Sequence, residues 1–313
     1  MLGKTAGGLF WMYRYLERAE NTARLADAGF RIAMTRSDQA DDEWASIIDT
    51  ASARRIFLES GGAFDGPSVI NFLLRDPANP SSVLSVIEGA RNNARLVRTA
   101  LTREVWEAVN ETWITLKAAL ARPIRETDLP DVLALIRKQS SLVRGATVGT
   151  MLRNDIYNFT RAGTFIERAD NIARILDVKY YVLLPSVQLV GSTLDNVQWE
   201  TILRAASAER SFRWLHGGEA RPMTIADFLI LDRRLPRSLL YCMRKISGNL
   251  GHLCTDYNVR RSSLDFAIGL RDQLEESNIE QIMERGLHQF LKEFIRSNNI
   301  LAGHVEEDFR FNK

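Results

Sequence analysis

An all-α fold, a helical bundle made of two internally repeated halves, follows from three observations: few helix breakers, apolar residues spaced three and four apart, and a segment order that occurs twice. Glycine (19) and proline (8) are sparse among 313 residues, which leaves room for long helices because both disfavour helix interiors. Met12, Leu16, Ala19, Ala23, Ala26 and Phe30 form one stripe, and Ala162, Ile166, Ala169, Ala173, Leu176 and Tyr180 a second. That spacing marks a helix face turned to a core. No convincing run of alternating apolar and polar residues suggests strands.

The repeat is collinear. Tyr15–Arg24 (YLERAENTAR) matches Phe165–Arg174 (FIERADNIAR), Trp44–Ala53 matches Trp199–Ala208, and Asn71–Asp76 matches Asp227–Asp232, at offsets of 150, 155 and 156. Three matches in one order with slowly growing offset mark internal duplication. Ser68 and Thr224 fall where a helix N-cap belongs, with Asn71 and Asp227 three residues on, near capping-box spacing. Pro80 and Pro236 suit the first turn of a following long helix, where a missing N–H is tolerated. Gly61-Gly62 and Gly217-Gly218 mark loops, with Phe64 to Pro67 and Glu219 to Pro222 completing the turns. The expected organisation is residues 1–150 and 151–313 as pseudo-twofold-related halves packed into one body.

Composition bounds the function. Hydrophobic residues at 45% and charged residues at 26% are those of a globular protein, and a chain this long needs no metal or disulfide to be stable. Forty-one Lys+Arg against 39 Asp+Glu leave +2, so no whole-molecule field draws nucleic acid or an anionic membrane. Cys242 and Cys254 have neither metal nor redox spacing and read as reduced packing residues. Charges at Arg14, Glu17 and Arg18 interrupt the N-terminal apolar stretch without a cleavage site. Val178–Gly191, broken by Pro185, is too short to span a bilayer. A cytoplasmic location is expected.

The residues that carry chemistry are on the duplicated helix. Glu17, Asn21 and Arg24 fall at i, i+4 and i+7, with Glu20 alongside; Glu167, Asn171, Arg174 and Asp170 repeat the arrangement. Small alanines at 19, 23, 169 and 173 let another backbone approach. Two readings stay open. In one, the charges are scaffold networks tying helices together. In the other, they line a cleft for a ligand with carboxylate and amine ends, such as a peptide; Arg24 and Arg174 clamp carboxylates, and Glu17 and Glu167 take a cation or act as general acid and base.

LFWMYRYLERAENTARL and FIERADNIARILDVKYYVLLP, with the repeats around them, resemble the bacterial alpha-E domain family, a helical domain with a Glu-Arg motif. The resemblance covers essentially the whole chain and carries the motif onto Glu17, Arg18, Glu167 and Arg168. Thr164, where the first copy has Arg14, is a departure. The resemblance implies partners: a circularly permuted ATP-grasp ligase, a transglutaminase-like cysteine peptidase and sometimes a proteasome-like peptidase. It implies an accessory or peptide-binding role in peptide synthesis or modification. The alternative is an amide-bond-forming or hydrolytic enzyme using Glu17 or Glu167 as base.

Other constellations are weaker. His216, His252, His288 and His304 form no HExxH or Glu-x-x-His, so no metal is expected. No phosphate loop, dinucleotide fingerprint or nucleophile elbow occurs, so no cofactor is expected. Arg91, Arg95, Arg98 and Arg103, and Arg233, Arg234, Arg237, Arg244 and Lys245 around Tyr241, read as solvated basic faces. Asn298 to Arg310, dense in polar groups, reads as a functional loop or a fraying tail, with the tail favoured. Paired helices with apolar edges make a homodimer a further expectation.

Overall fold

The computed structural model describes residues 1–35, 40–182, 193–217 and 221–311. All regular structure among them is helical. The helices are α1 Gly3–Thr35, α2 Ala40–Thr50, α3 Arg54–Glu59, α4 Gly66–Leu74, α5 Val83–Leu96, α6 Arg103–Ala119, α7 Leu129–Thr150, α8 Asp155–Val182, α9 Thr193–Ala205, α10 Glu209–His216, α11 Pro222–Leu231, α12 Leu239–Asp256, α13 Ser262–Glu276, α14 Ile279–Arg285 and α15 Leu287–Asp308. Two compact units result: Met1–Thr164 with Phe309–Lys313, and Phe165–Asp308. The seam falls inside α8.

Local chemistry sets the helix ends. Ser82, Thr102, Ser238 and Asn278 each accept the backbone N–H three residues on, capping α5, α6, α12 and α14. The cap of α4 is Asp65, whose Oδ1 accepts Ser68 N–H at 2.8 Å, and α11 starts at Pro222 after Arg221. Ser68 and Thr224 therefore sit inside the first turn and are not caps. Asn71 lies deeper in α4, where its side chain accepts from Arg75 at 2.7 Å. Pro80 and Pro236 lie two residues before the caps Ser82 and Ser238, outside the following helices. Gly61 and Gly217 hold φ of +74° and +72°, which only glycine adopts without strain. Gly218 to Ala220 and much of Val178–Gly191 lie outside the described residues.

In the first unit α1 is the central element. It packs along α5, α7 and α2, and Met12, Ala19, Ala23 and Ala26 of its predicted stripe are wholly buried. They join Trp44, Phe57, Phe72, Val86, Trp113 and Ile136 in one core. Alanine along that stripe brings neighbouring backbones close, and Gly163 of α8 goes further: a Cβ there would stand 2.3 Å from Phe10 O. Phe309 and Phe311 return to this unit against Phe159 and Phe10. In the second unit Ile166, Ala169, Ala173 and Leu176 of α8 are wholly buried, as are Ile246 and Leu250 of α12. The side chain of Tyr180 is outside the described set.

The C-terminal polar segment is ordered helix. Asn298, wholly buried, donates to Ile166 O at 3.0 Å, and the Asp308 carboxylate accepts Ser263 N–H at 2.8 Å. The expected fraying fails because Leu291, Leu301 and Val305 give this stretch a buried apolar face, which the density of polar letters conceals.

Candidate functional site

In the first unit, the acid of the motif is consumed by arginines. Glu20 has no exposed side-chain surface and accepts from Arg24 Nε, one turn on, at 3.0 Å, and also from Arg144 Nη2 of α7. A carboxylate removed from water needs such charge-assisted bonds. Arg18 Nη1 reaches Ser81 Oγ at 3.3 Å, tying α1 to the loop before α5. Arg14, only 7% exposed, lies over Trp11 with its guanidinium 4.6 Å from the ring centroid. Asn21 is buried as well.

Glu17, 4% exposed, lines a small pocket open to solvent. Tyr13, Leu16, Ser140, Val143, Arg144, Thr147, Arg161 and Thr164 complete it, enclosing about 20 Å³. Tyr13 Oη lies 2.5 Å from Thr147 Oγ1. Thr147 Oγ1 also donates to Val143 O at 2.7 Å, and Tyr13 Oη also donates to Met151 Sδ at 3.7 Å. Burial pushes the Tyr13 phenol well above its ordinary value. Ser140 Oγ is buried and has no hydrogen-bond partner.

The second unit repeats the motif with fewer charges. Asp170 accepts from Arg174 Nε at 2.6 Å and Nη2 at 3.2 Å, with side chains 15% and 28% exposed. Arg168 Nη1 donates to Pro236 O at 3.2 Å in the loop before α12, and its guanidinium stands 5.2 Å from the Phe165 ring centroid. Glu167 is buried and Asn171 half-buried. Thr164, where the first copy has Arg14, donates to Thr160 O at 2.9 Å.

Arg24 and Arg174 are thus tied to the acid of their own motif, and Arg18 and Arg168 to the loop facing each motif. Glu17 is brought to a pocket with Arg144, Arg161 and Ser140, which the sequence reading did not single out. Those three lie on α7 and α8, more than a hundred residues from Glu17. The available signal was the polar row Ser140, Arg144 and Thr147 at i, i+4 and i+7 on one face of α7.

Other chemistry has little purchase among the described residues. No group of three His, Cys, Asp or Glu side chains could hold a metal ion. Cys242 and Cys254 are both buried, and burial pushes the Cys254 thiol up, away from the thiolate a nucleophile needs. The basic rows dissolve into local pairs. Arg91 donates to Asn110 at 3.0 Å, Arg103 to Glu107 at 2.7 Å and Arg234 to Asp232 at 2.8 Å, while Arg237 is buried. No described helix is long and apolar enough to cross a membrane.

These features define a class: an all-helical protein whose distinctive residues are Glu-Arg pairs on long, alanine-lined helices. The chain belongs to the Alpha-E family, described as a predicted alpha-helical domain with a conserved ER motif, whose model matches residues 1–309. It is 25% identical over 270 residues to uncharacterised proteins of Mycobacterium bovis and Mycobacterium tuberculosis. Each match covers 78% of this chain and 29% of the relative, so the chain spans less than a third of the length of these proteins. No solved structure matches it.

Proposed function

We propose that the chain is a peptide-binding, accessory component of a bacterial peptide synthesis or modification system, working beside a circularly permuted ATP-grasp ligase and a transglutaminase-like peptidase in the cytoplasm. The halves 1–150 and 151–313 are read as duplicated, pseudo-twofold-related modules. One observation carries the binding role: Glu17, Arg144 and Arg161, from three different helices, line one polar pocket open to solvent. A pocket with convergent polar groups, set among fixed neighbours, suits recognition.

The test combines co-purification with those two partners and thermal shift with short peptides. Wild type is expected to retain the partners, to show no turnover alone and to gain a saturable rise in melting temperature with peptide, as selective binding to the native state requires. The double variant Glu17→Gln/Glu167→Gln is expected to fold and lose that rise. Turnover by the isolated chain would overturn the accessory role, and the buried carboxylate of Glu17 in a pocket favours the enzyme reading in that event. Turnover that survives the double variant would exclude Glu17 and Glu167 as its base.

A further inference from the structure

The pocket beside Glu17 has an unanswered group inside it. Ser140, 5% exposed, is a lining residue of the pocket and its buried Oγ has no hydrogen-bond partner, although buried hydroxyls are normally bonded. The charged residues of the lining are two arginines, Arg144 and Arg161, and one glutamate, Glu17. The Tyr13 hydroxyl is engaged with Thr147 and Met151, and the Thr164 proton goes to Thr160 O. The volume of about 20 Å³ accepts one group the size of a water molecule, so a ring or a branched side chain is excluded and the rest of any ligand stays at the mouth.

We infer that this pocket seats the terminal carboxylate of a peptide. One oxygen enters between Arg144 and Arg161 and accepts from Ser140 Oγ, and the second stays at the rim. Guanidinium groups and a hydroxyl donate to a carboxylate in the charge-assisted way that neutral end groups cannot exploit. Glu17, an acceptor when ionised, takes the N–H of the terminal residue, a donor that a simple carboxylic acid lacks. The inference rests on the peptide-binding reading above and adds the end group and the residues that hold it.

The experiment is calorimetry of the full chain with a set of N-acetylated tripeptides, each as free acid and as C-terminal amide, with acetate as a further probe. Free acids are expected to bind tenfold or more tightly than their amides, and acetate far more weakly than either. Arg161→Gln is expected to reduce the acid preference below threefold, while Arg161→Lys restores part of it. Ser140→Ala is expected to weaken the acids severalfold while melting temperature stays level or rises, because the substitution deletes an unpartnered hydroxyl. Equal binding of acids and amides by wild type overturns the carboxylate assignment and leaves the peptide-binding reading standing. Unchanged acid preference in both Arg161→Gln and Ser140→Ala places the carboxylate elsewhere and overturns this pocket. Binding of no peptide in either form overturns both.

Discussion

The two motif helices have nearly the same letters and different electrostatic surroundings. In α1, Glu20 is fully enclosed and shared by Arg24 and Arg144; in α8, Asp170 is 15% exposed and held by Arg174 in a two-pronged pair. The side chain one methylene longer reaches a second arginine, Arg144 on α7. The packed helix also differs: Ser140 of α7 has a buried hydroxyl without a partner, whereas Asn298 of α15 donates to Ile166 O and leaves only its Oδ1 without one. The motif by itself therefore specifies a helix and an internal acid-arginine pair. Whether a pocket opens beside it depends on the long helix laid against it.

Removing the shared acid is the strongest way to break that comparison. Glu20→Gln strips the charge from a buried carboxylate that serves two guanidiniums and is expected to cost about 3–5 kcal/mol, while Asp170→Asn, partly solvated, costs roughly 1 kcal/mol. Urea denaturation of both variants measures the gap, and equal losses would show that Arg144 adds nothing to Glu20. Gly163→Ala comes next, because its Cβ would collide with Phe10 O. A backbone neighbour cannot swing away as a side chain can, so a loss of about 1–3 kcal/mol follows.

Tyr13→Phe sharpens the contrast through pH. It removes one hydrogen bond, worth about 1 kcal/mol at neutral pH. Because burial raises the folded-state value of the phenol, its contribution is fully present below the unfolded value near 10 and is lost as pH rises above it. Wild type is therefore expected to lose up to about 1.4 kcal/mol more per pH unit above 10 than Tyr13→Phe; parallel alkaline slopes in chemical denaturation would contradict the assignment. The smallest effect belongs to the exposed pair of Arg103 and Glu107. Arg103→Gln is expected to change stability by no more than about 0.5 kcal/mol, and a larger loss would mean that the α6 surface is covered by something in solution.

Helix type, the buried stripes and the positive-φ glycines were legible because each has a local cause. Period 3–4 apolar spacing produced Met12, Ala19, Ala23 and Ala26, all wholly buried, and Gly61 and Gly217 sit where a positive φ demands them. Ser52 and Ser207, which end the second matched block one residue early, share φ near +54° as well. The cap of α4 was misread by three residues, since Asp65 competes with Ser68 for the same first turn and only the backbone angle decides between them. The tail was misread because polar density was weighed above the Leu291, Leu301 and Val305 spacing.

The sequence by itself determined an all-α chain of the Alpha-E family, with its repeated Glu-Arg letters, since propensity, periodicity and short-range capping act within a few residues. Tertiary structure alone decided that Arg144 joins Glu20, that Arg18 and Arg168 grip the loops before α5 and α12, and that Glu17 shares a pocket with Ser140, Arg144 and Arg161. Those contacts join residues from 63 to more than a hundred positions apart. Side-chain bonds of that reach are set by how helices pack, and packing depends on the volume and charge of every neighbour at once.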